Sequence, residues 1–201
     1  MMRQPTLLFA TIVPTLLITA TSYSQPESTV EHWATVQSPD RSFSVRMPSG
    51  WQEDSTSVPN VLSLRPKRPD TVSPDQFVNC KAQADRNPAT AQLTQEALDR
   101  AVAAGPAPQN VVQDILSAVG SDATLRHNGT MHIAEHPAYF MVIAATKTGI
   151  HVVAAQSLLV RPGWSYSIAC TVGARTADQA DAAWTQWKPT LMRIIGGMER
   201  S

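Results

Sequence analysis

The chain has 201 residues, of which 43% are hydrophobic, and its 16 lysines and arginines balance its 16 aspartates and glutamates. This length fits one domain with a sizeable core, since single domains commonly contain about 100–200 residues. The balanced charge argues against a nucleic-acid-binding protein, which would carry an excess of basic residues.

The first 24 residues have the layout of a cleavable secretory signal. Arg3 gives a cationic start, an apolar run follows from Leu7 to Ala20, and Ser22 and Ser24 are small residues at the expected cleavage site. The run is shorter than the roughly 20 apolar residues that span a membrane, and Pro14 interrupts it. We therefore expect export to the periplasm or beyond.

Cleavage would divide the chain into three parts. Residues 1–24 are the expected signal peptide, residues 25–32 a polar, flexible leader, and residues 33–201 a single domain. No cysteine lies near the expected cut to accept a lipid, so we expect no stable membrane anchor after cleavage.

The two cysteines, Cys80 and Cys170, are expected to form one disulfide, because disulfides persist in the compartments that exported proteins reach. Each lies in an alternating apolar pattern, Val78 to Ala84 and Trp164 to Val172, so both thiols point to the core side. A bridge closing a loop of about 90 residues would contribute on the order of 4 kcal/mol in the chain-entropy model. Two separate buried thiols are the alternative.

The pattern of apolar residues predicts strands, then two helices, then strands and a last helix. Alternation predicts strands from near Trp33, over Phe43 to Met47, at Leu62 to Leu64 and over Val78 to Ala84. Helical spacing predicts a helix from Gln95 to Ala104, capped by Thr94, and a second over residues 112–119.

Turn signals organise the second half of the chain. Asn128-Gly129 predicts a tight turn, and Thr148-Gly149 and Pro162-Gly163 predict hairpin turns between apolar strands. Consecutive hairpins imply an antiparallel sheet. Thr176 and Gln179 form a capping box for the last helix, which Pro189 should kink or divide.

Four segments form a recognisable pattern: Phe43-x-Val45-x-Met47-Pro48-x-Gly50-Trp51, His136-Pro137-Ala138-Tyr139, Gly163-Trp164-x-Tyr166 and the Trp-bearing terminal helix. Together they resemble the PsbP-like superfamily, which includes a photosystem accessory subunit, a nuclear import factor that binds the Ran GTPase, and many small exported bacterial proteins. The resemblance implies an α+β fold, an antiparallel sheet packed between helices, that serves binding rather than catalysis. His136 departs from the commoner pattern, where a glycine often precedes Pro-Ala, and so does the cysteine pair.

One motif suggests metal chemistry. His132, Glu135 and His136 match the H-x-x-E-H spelling of a zinc peptidase class, which needs a helix to bring both imidazoles to one ion. Pro137 disfavours helical geometry at His136, and residues four apart on a strand are about 13 Å apart. We therefore expect surface histidines; a looser site that includes His127 is the alternative.

Two of the five tryptophans, Trp33 and Trp51, lie beside predicted turns and are candidates for a partly exposed partner surface, since Trp is enriched at interface hot spots. The sequence has no G-x-S-x-G elbow and no phosphate-binding loop, and no cofactor is implied. The leading interpretation is a non-catalytic accessory protein that binds another protein of the bacterial envelope. The alternatives are a small-molecule or lipid carrier with an apolar pocket, near the Pro189 bend, and a zinc hydrolase using the histidine motif.

Overall fold

The computed structural model describes residues 32–54, 58–67 and 75–200. The expected signal peptide and almost all of the leader lie outside them and stay predictions. In chain order the described elements are β1 (Trp33–Gln37), β2 (Phe43–Pro48), β3 (Trp51–Asp54), β4 (Val61–Pro66), β5 (Gln76–Arg86), α1 (Gln95–Ala103), α2 (Gln109–Val119), β6 (Thr124–Ile133), β7 (His136–Lys147), β8 (Ile150–Arg161), β9 (Trp164–Ala174), α3 (Ala177–Gly196) and β10 (Met198–Arg200).

Two antiparallel sheets organise these elements. The larger has the strand order β3-β4-β5-β9-β8-β7-β6, and the smaller has the order β1-β2-β10. Strands β6 to β9 follow one another through consecutive hairpins, as the turn signals at Thr148-Gly149 and Pro162-Gly163 predict. Directly paired residues of an antiparallel ladder point to the same face, so the register assigns every side chain to one face of the sheet.

The helices cover both faces of the larger sheet. One face carries Cys80, Phe140 and Ile168, which are buried against α3 and the small sheet. The other face carries Met141 and Ile143, which pack against apolar residues of α2. Strand alternation places Phe140 and Met141 on opposite faces. The expected α+β fold, with an antiparallel sheet between helices, is therefore confirmed.

Helix starts follow the sequence closely. Thr94 caps α1 by accepting a hydrogen bond from the Ala97 N–H, and Thr176 caps α3 by accepting one from the Gln179 N–H. Helix α3 runs through Pro189 as one element and is not divided there. Proline has no N–H to donate to the Thr185 carbonyl. Both residues are exposed, so water can satisfy that carbonyl.

Cys80 and Cys170 form a disulfide between β5 and β9, as expected. They are directly paired across the ladder, and both are fully buried beneath α3. The alternative of two separate thiols is therefore not what the structure contains. No helix in the described parts of the chain is both long and apolar enough to cross a membrane.

The prediction of a turn at Asn128-Gly129 is wrong. Strand β6 passes straight through this dipeptide, and Gly129 is paired with Phe140. The Asn128 amide instead holds the loop before α2: its Oδ1 accepts from the Ala107 N–H at 3.0 Å and its Nδ2 donates to the Ala107 carbonyl at 3.1 Å. The turn that ends β6 lies six residues later, at Ala134-Glu135, where Ala134 takes a left-handed φ of 51°.

Candidate functional site

The histidine motif spans the β6–β7 hairpin and does not form a helix. Its two central residues, Ala134 and Glu135, make the turn, so His132 and His136 lie on different strands. In the register, Ile133 is paired with His136, and His132 with Pro137. The two histidines therefore point to opposite faces of the sheet. This geometry does not bring them to one zinc ion.

Both ring nitrogens of His136 form hydrogen bonds with other side chains. Its Nδ1 lies 2.8 Å from Asp99 Oδ2 on α1, and Arg161 Nη1 on β8 donates to its Nε2 at 2.8 Å. A guanidinium has only donors, so Nε2 must be the acceptor and the ring proton lies on Nδ1, which donates to Asp99. The imidazole therefore links α1 to the sheet, and neither ring nitrogen is left for a metal.

Two residues of this hydrogen-bonded group, Asp99 and Arg161, have shifted pKa values. Burial alone would raise the pKa of the Asp99 carboxyl, but hydrogen bonds from His136 and Gln95 outweigh it and hold that pKa below its usual value. Burial lowers the pKa of the Arg161 guanidinium. Asp99 is therefore a carboxylate at neutral pH, which fits a structural tie.

The other candidate ligands are also dispersed. His127, His132 and Glu135 are exposed, and His127 lies against Phe140 with ring centroids 5.7 Å apart. Within residues 32–54, 58–67 and 75–200, no group of three histidine, cysteine or acidic side chains is close enough to hold a metal ion. The looser histidine site considered from the sequence has no geometric support among these residues.

The two candidate tryptophans have different surroundings. Trp51 is only 3% exposed and meets Trp187 of α3 edge to face, with ring centroids 6.1 Å apart. The expectation of a partly exposed Trp51 is therefore wrong, because the terminal helix covers it. Trp33 packs against the core but is only partly buried, so part of its side chain is accessible at the surface.

Trp33 forms one wall of a hollow of about 210 Å³ that Arg46, Arg193, Gly196 and Gly197 complete. The Arg193 guanidinium carbon lies 4.2 Å from the centroid of the Trp33 ring, a cation–π arrangement. Arg46 donates its backbone N–H to the Gly197 carbonyl at 3.0 Å, and a side chain at Gly197 would collide with the Arg46 side chain. We call these residues the Trp33 surface.

Sequence reasoning found Trp33 but not its arginines. Arg46 comes from β2 and Arg193 from the last turn of α3, and they meet because β10 pairs with β2. This pairing brings the end of the described chain back to a strand about 150 residues earlier in the sequence. No local periodicity encodes such a contact.

A second cavity of about 430 Å³ lies between α3 and the β6–β7 edge. Lys188 and Met192, which flank Pro189 on α3, form one side of it, and Phe140 and Val142 of β7 form the floor. The carrier alternative requires an apolar pocket between the sheet and the helices, and this cavity lies in such a place.

The sequence matches no protein-family model and no curated protein. The fold is similar to that of the Ran-binding protein Mog1p of Saccharomyces cerevisiae, with a TM-score of 0.53 at 10% identity over 85% of this chain and 96% of Mog1p. It is also similar to the PsbP protein of Synechocystis sp. PCC 6803, with a TM-score of 0.49 at 12% identity over 89% and 98% of the two chains.

A protein from Bacteroides thetaiotaomicron VPI-5482 also matches, with a TM-score of 0.46 at 13% identity over 83% of this chain. The match spans only 48% of that longer protein. At such identities the comparisons concern the fold alone, and the similarity to Mog1p carries the conclusion. The chain has the fold of Mog1p, in agreement with the fold that the sequence resemblance implied.

Proposed function

We propose that this protein is an exported, non-catalytic accessory protein that binds another protein of the bacterial envelope through the Trp33 surface. The observation that carries the proposal is the accessible Trp33 ring, stacked by Arg193 in a hollow beside Arg46. Tryptophan and arginine are the residues most enriched at the energetic centres of protein interfaces. A partly open hollow between them can receive one side chain of a partner.

The charges of the Trp33 surface define the partner's chemistry. Arg46 is exposed at its edge, and its guanidinium can pair with a carboxylate in bidentate geometry. We therefore expect a partner that presents an acidic patch around an apolar or aromatic side chain. Arg193 already stacks on Trp33, so less of its conformational freedom is lost on binding.

Export is supported by the buried disulfide. Cys80 and Cys170 are both fully buried in the core, and structural bridges of this kind persist in oxidising compartments. Together with the signal-like first 24 residues, this favours the periplasm or the outside of the cell.

The non-catalytic part of the proposal is supported by the positions of the motif residues. His132 and His136 point to opposite faces, and both ring nitrogens of His136 are engaged. The fold comparison adds one protein-binding example, because Mog1p is named as a Ran-binding protein. At 10% identity its partner does not transfer to this chain.

Mild crosslinking in an envelope extract, followed by affinity purification and mass spectrometry, tests the proposal. We expect a reproducible partner with crosslinks near Trp33, and a loss of at least tenfold in its recovery with Trp33→Ala or Arg193→Gln. Phe77→Ala is the matched control, since Phe77 is also an exposed aromatic residue but belongs to the larger sheet. No reproducible partner, or one whose recovery is equal for all variants, would refute the proposal.

A further inference from the structure

We propose that the cavity between α3 and the β6–β7 edge binds a small anionic amphiphile, a carboxylate with an apolar chain. This inference goes beyond the proposed function and uses none of the residues of the Trp33 surface. The cavity, of about 430 Å³, lies within the range of about 300–1,000 Å³ that is typical of small-molecule sites.

The interior of this cavity is apolar. Four side chains from two elements line it: Phe140, Val142, Trp184 and Met192. The first two come from β7 and the last two from α3, so the sheet and the helix form opposite walls. Met192 has an unbranched side chain that adapts to ligands of different shape. An alkyl chain of a ligand would replace water against these four residues.

The edge of the cavity is basic. Arg126, His127 and Lys188 contribute its remaining lining. Lys188 is exposed, and no carboxylate in the described part of the chain forms an ion pair with it. Arg126 pairs with Asp181 through Nη1, which leaves other donors of its guanidinium fork for a ligand. Asp181 is therefore the carboxylate that would compete with a bound anion for Arg126. Arg126 and Lys188 are both permanently charged, so two cations face this one carboxylate.

A β-bulge places two basic residues on the cavity side. In the β6–β7 ladder, Leu125 is paired with Ile143, but His127 is paired with Val142, so Arg126 is an extra residue. In a regular ladder Arg126 would be paired with Val142, and His127, paired with Met141, would point to the α2 side of the sheet. The bulge re-aims it, and both Arg126 and His127 line the cavity under α3.

Gly129 provides the room that the His127 ring needs. A Cβ at Gly129 would lie 3.0 Å from His127 Nε2, and the ring packs on Phe140 with centroids 5.7 Å apart. The imidazole therefore lies over Gly129 at the edge of the cavity, beside Phe140. The Asn128-Gly129 pair, which the sequence alone would assign to a turn, shapes this site: Asn128 holds the loop before α2, and Gly129 accommodates the histidine.

Isothermal titration of the full-length mature protein with sodium dodecanoate below its micellar concentration tests the proposal. We expect one binding site per chain and at least tenfold weaker binding of dodecyltrimethylammonium, which has the same chain and the opposite charge. Octanoate should bind more weakly than dodecanoate, by up to about fourfold for each methylene lost from the cavity.

Variants locate the site. Lys188→Gln should weaken dodecanoate binding at least fivefold, whereas Lys147→Gln, an exposed lysine on the β7–β8 hairpin, should leave it unchanged. Chemical-shift changes on adding dodecanoate to the wild type should centre on Phe140, Val142 and Trp184, and this measurement does not depend on a variant folding. Thermal unfolding checks that each variant is folded.

Three outcomes of the measurements with soluble amphiphiles would overturn the proposal. The first is the absence of both binding heat and chemical-shift changes with 1 mM dodecanoate. The second is that dodecyltrimethylammonium binds as tightly as dodecanoate, and the third is that the Lys188→Gln and Lys147→Gln proteins bind dodecanoate with equal affinity. Adsorption to phosphatidylglycerol vesicles without binding of monomeric dodecanoate would also overturn it, because it would indicate a membrane surface rather than a ligand cavity. The Trp33→Ala protein should bind dodecanoate normally, so this test can fail while the partner proposal stands.

Discussion

Cys80 and Cys170 are directly paired across β5 and β9, with their Cα atoms 4.0 Å apart. Their neighbours on the same face, Val78 with Val172 and Ala82 with Ile168, are also paired and buried. The disulfide therefore fixes the register at the centre of the larger sheet. It also joins two strands that are 90 residues apart in sequence.

Removing the disulfide should destabilise the protein. Closing a loop of this length is worth about 4–5 kcal/mol in the chain-entropy model, and native bridges typically contribute about 2–5 kcal/mol. We expect Cys80→Ala/Cys170→Ala to lower the free energy of unfolding by about that amount in urea titrations. A reducing agent should destabilise the wild type similarly and leave the double variant unaffected. Equal stability of the oxidised and reduced wild type would contradict the role assigned to the bridge.

Asp99 should make stability depend on acid pH. Because the folded-state pKa of its carboxyl is lowered, Asp99 stabilises the protein fully above its unfolded-state pKa of about 4. That stabilisation is lost as the pH falls through the lower folded-state pKa. Asp99→Asn removes this titration and, at neutral pH, weakens charge-assisted hydrogen bonds to His136 and Gln95, a cost of about 1–2 kcal/mol.

Urea titrations of the wild type and Asp99→Asn at several pH values between 7 and 2.5 measure this effect. The stability difference should be full near neutrality and shrink below about pH 4. Asp114→Asn, an exposed carboxylate on α2, serves as the control and should track the wild type. A difference that stays constant down to pH 2.5 would show that Asp99 does not titrate below its usual range.

Local patterns predict most of this fold because their causes are local. The alternation around Cys80 and Cys170 gives the strand faces, and Thr94 and Thr176 mark the helix starts by cap bonds between residues only three positions apart. Contacts between distant segments are not encoded in this way. The burial of Trp51 depends on α3, and the arginines of the Trp33 surface meet only through the pairing of β10 with β2.

The Asn128-Gly129 error shows how tertiary contacts override a turn signal. This dipeptide favours tight turns because both residues tolerate positive φ. In β6 the Asn128 side chain finds two hydrogen bonds to Ala107, and neither residue has a positive φ. The actual turn uses Ala134, a residue with no turn preference. The bulge at Arg126 likewise leaves no local signal.

Replacing Asn128 should loosen the loop before α2. Asn128→Ala removes two hydrogen bonds to the Ala107 backbone, whose N–H and carbonyl then need water, so we expect a loss of about 1–2 kcal/mol in unfolding free energy. Amide hydrogen exchange at Ala107 should become faster. Asn110→Ala, at an exposed position of α2, is the control. Unchanged exchange at Ala107 would mean that the amide contacts do not hold the loop.

The two candidate tryptophans should differ in their effect on stability. Trp51 is 3% exposed and packs edge to face on Trp187, so Trp51→Ala leaves a cavity in the core and should cost about 3–5 kcal/mol. Trp33 is only partly buried at the edge of the core, and its cation–π contact with Arg193 is worth roughly 0.5–1 kcal/mol at an exposed site. Trp33→Ala should therefore lower the free energy of unfolding by well under half of the amount lost with Trp51→Ala. Urea midpoints, followed by far-UV circular dichroism because the tryptophans themselves are altered, measure both values. Losses of equal size would mean that Trp33 is a core residue, and Trp33→Ala would then no longer be a clean probe of partner binding.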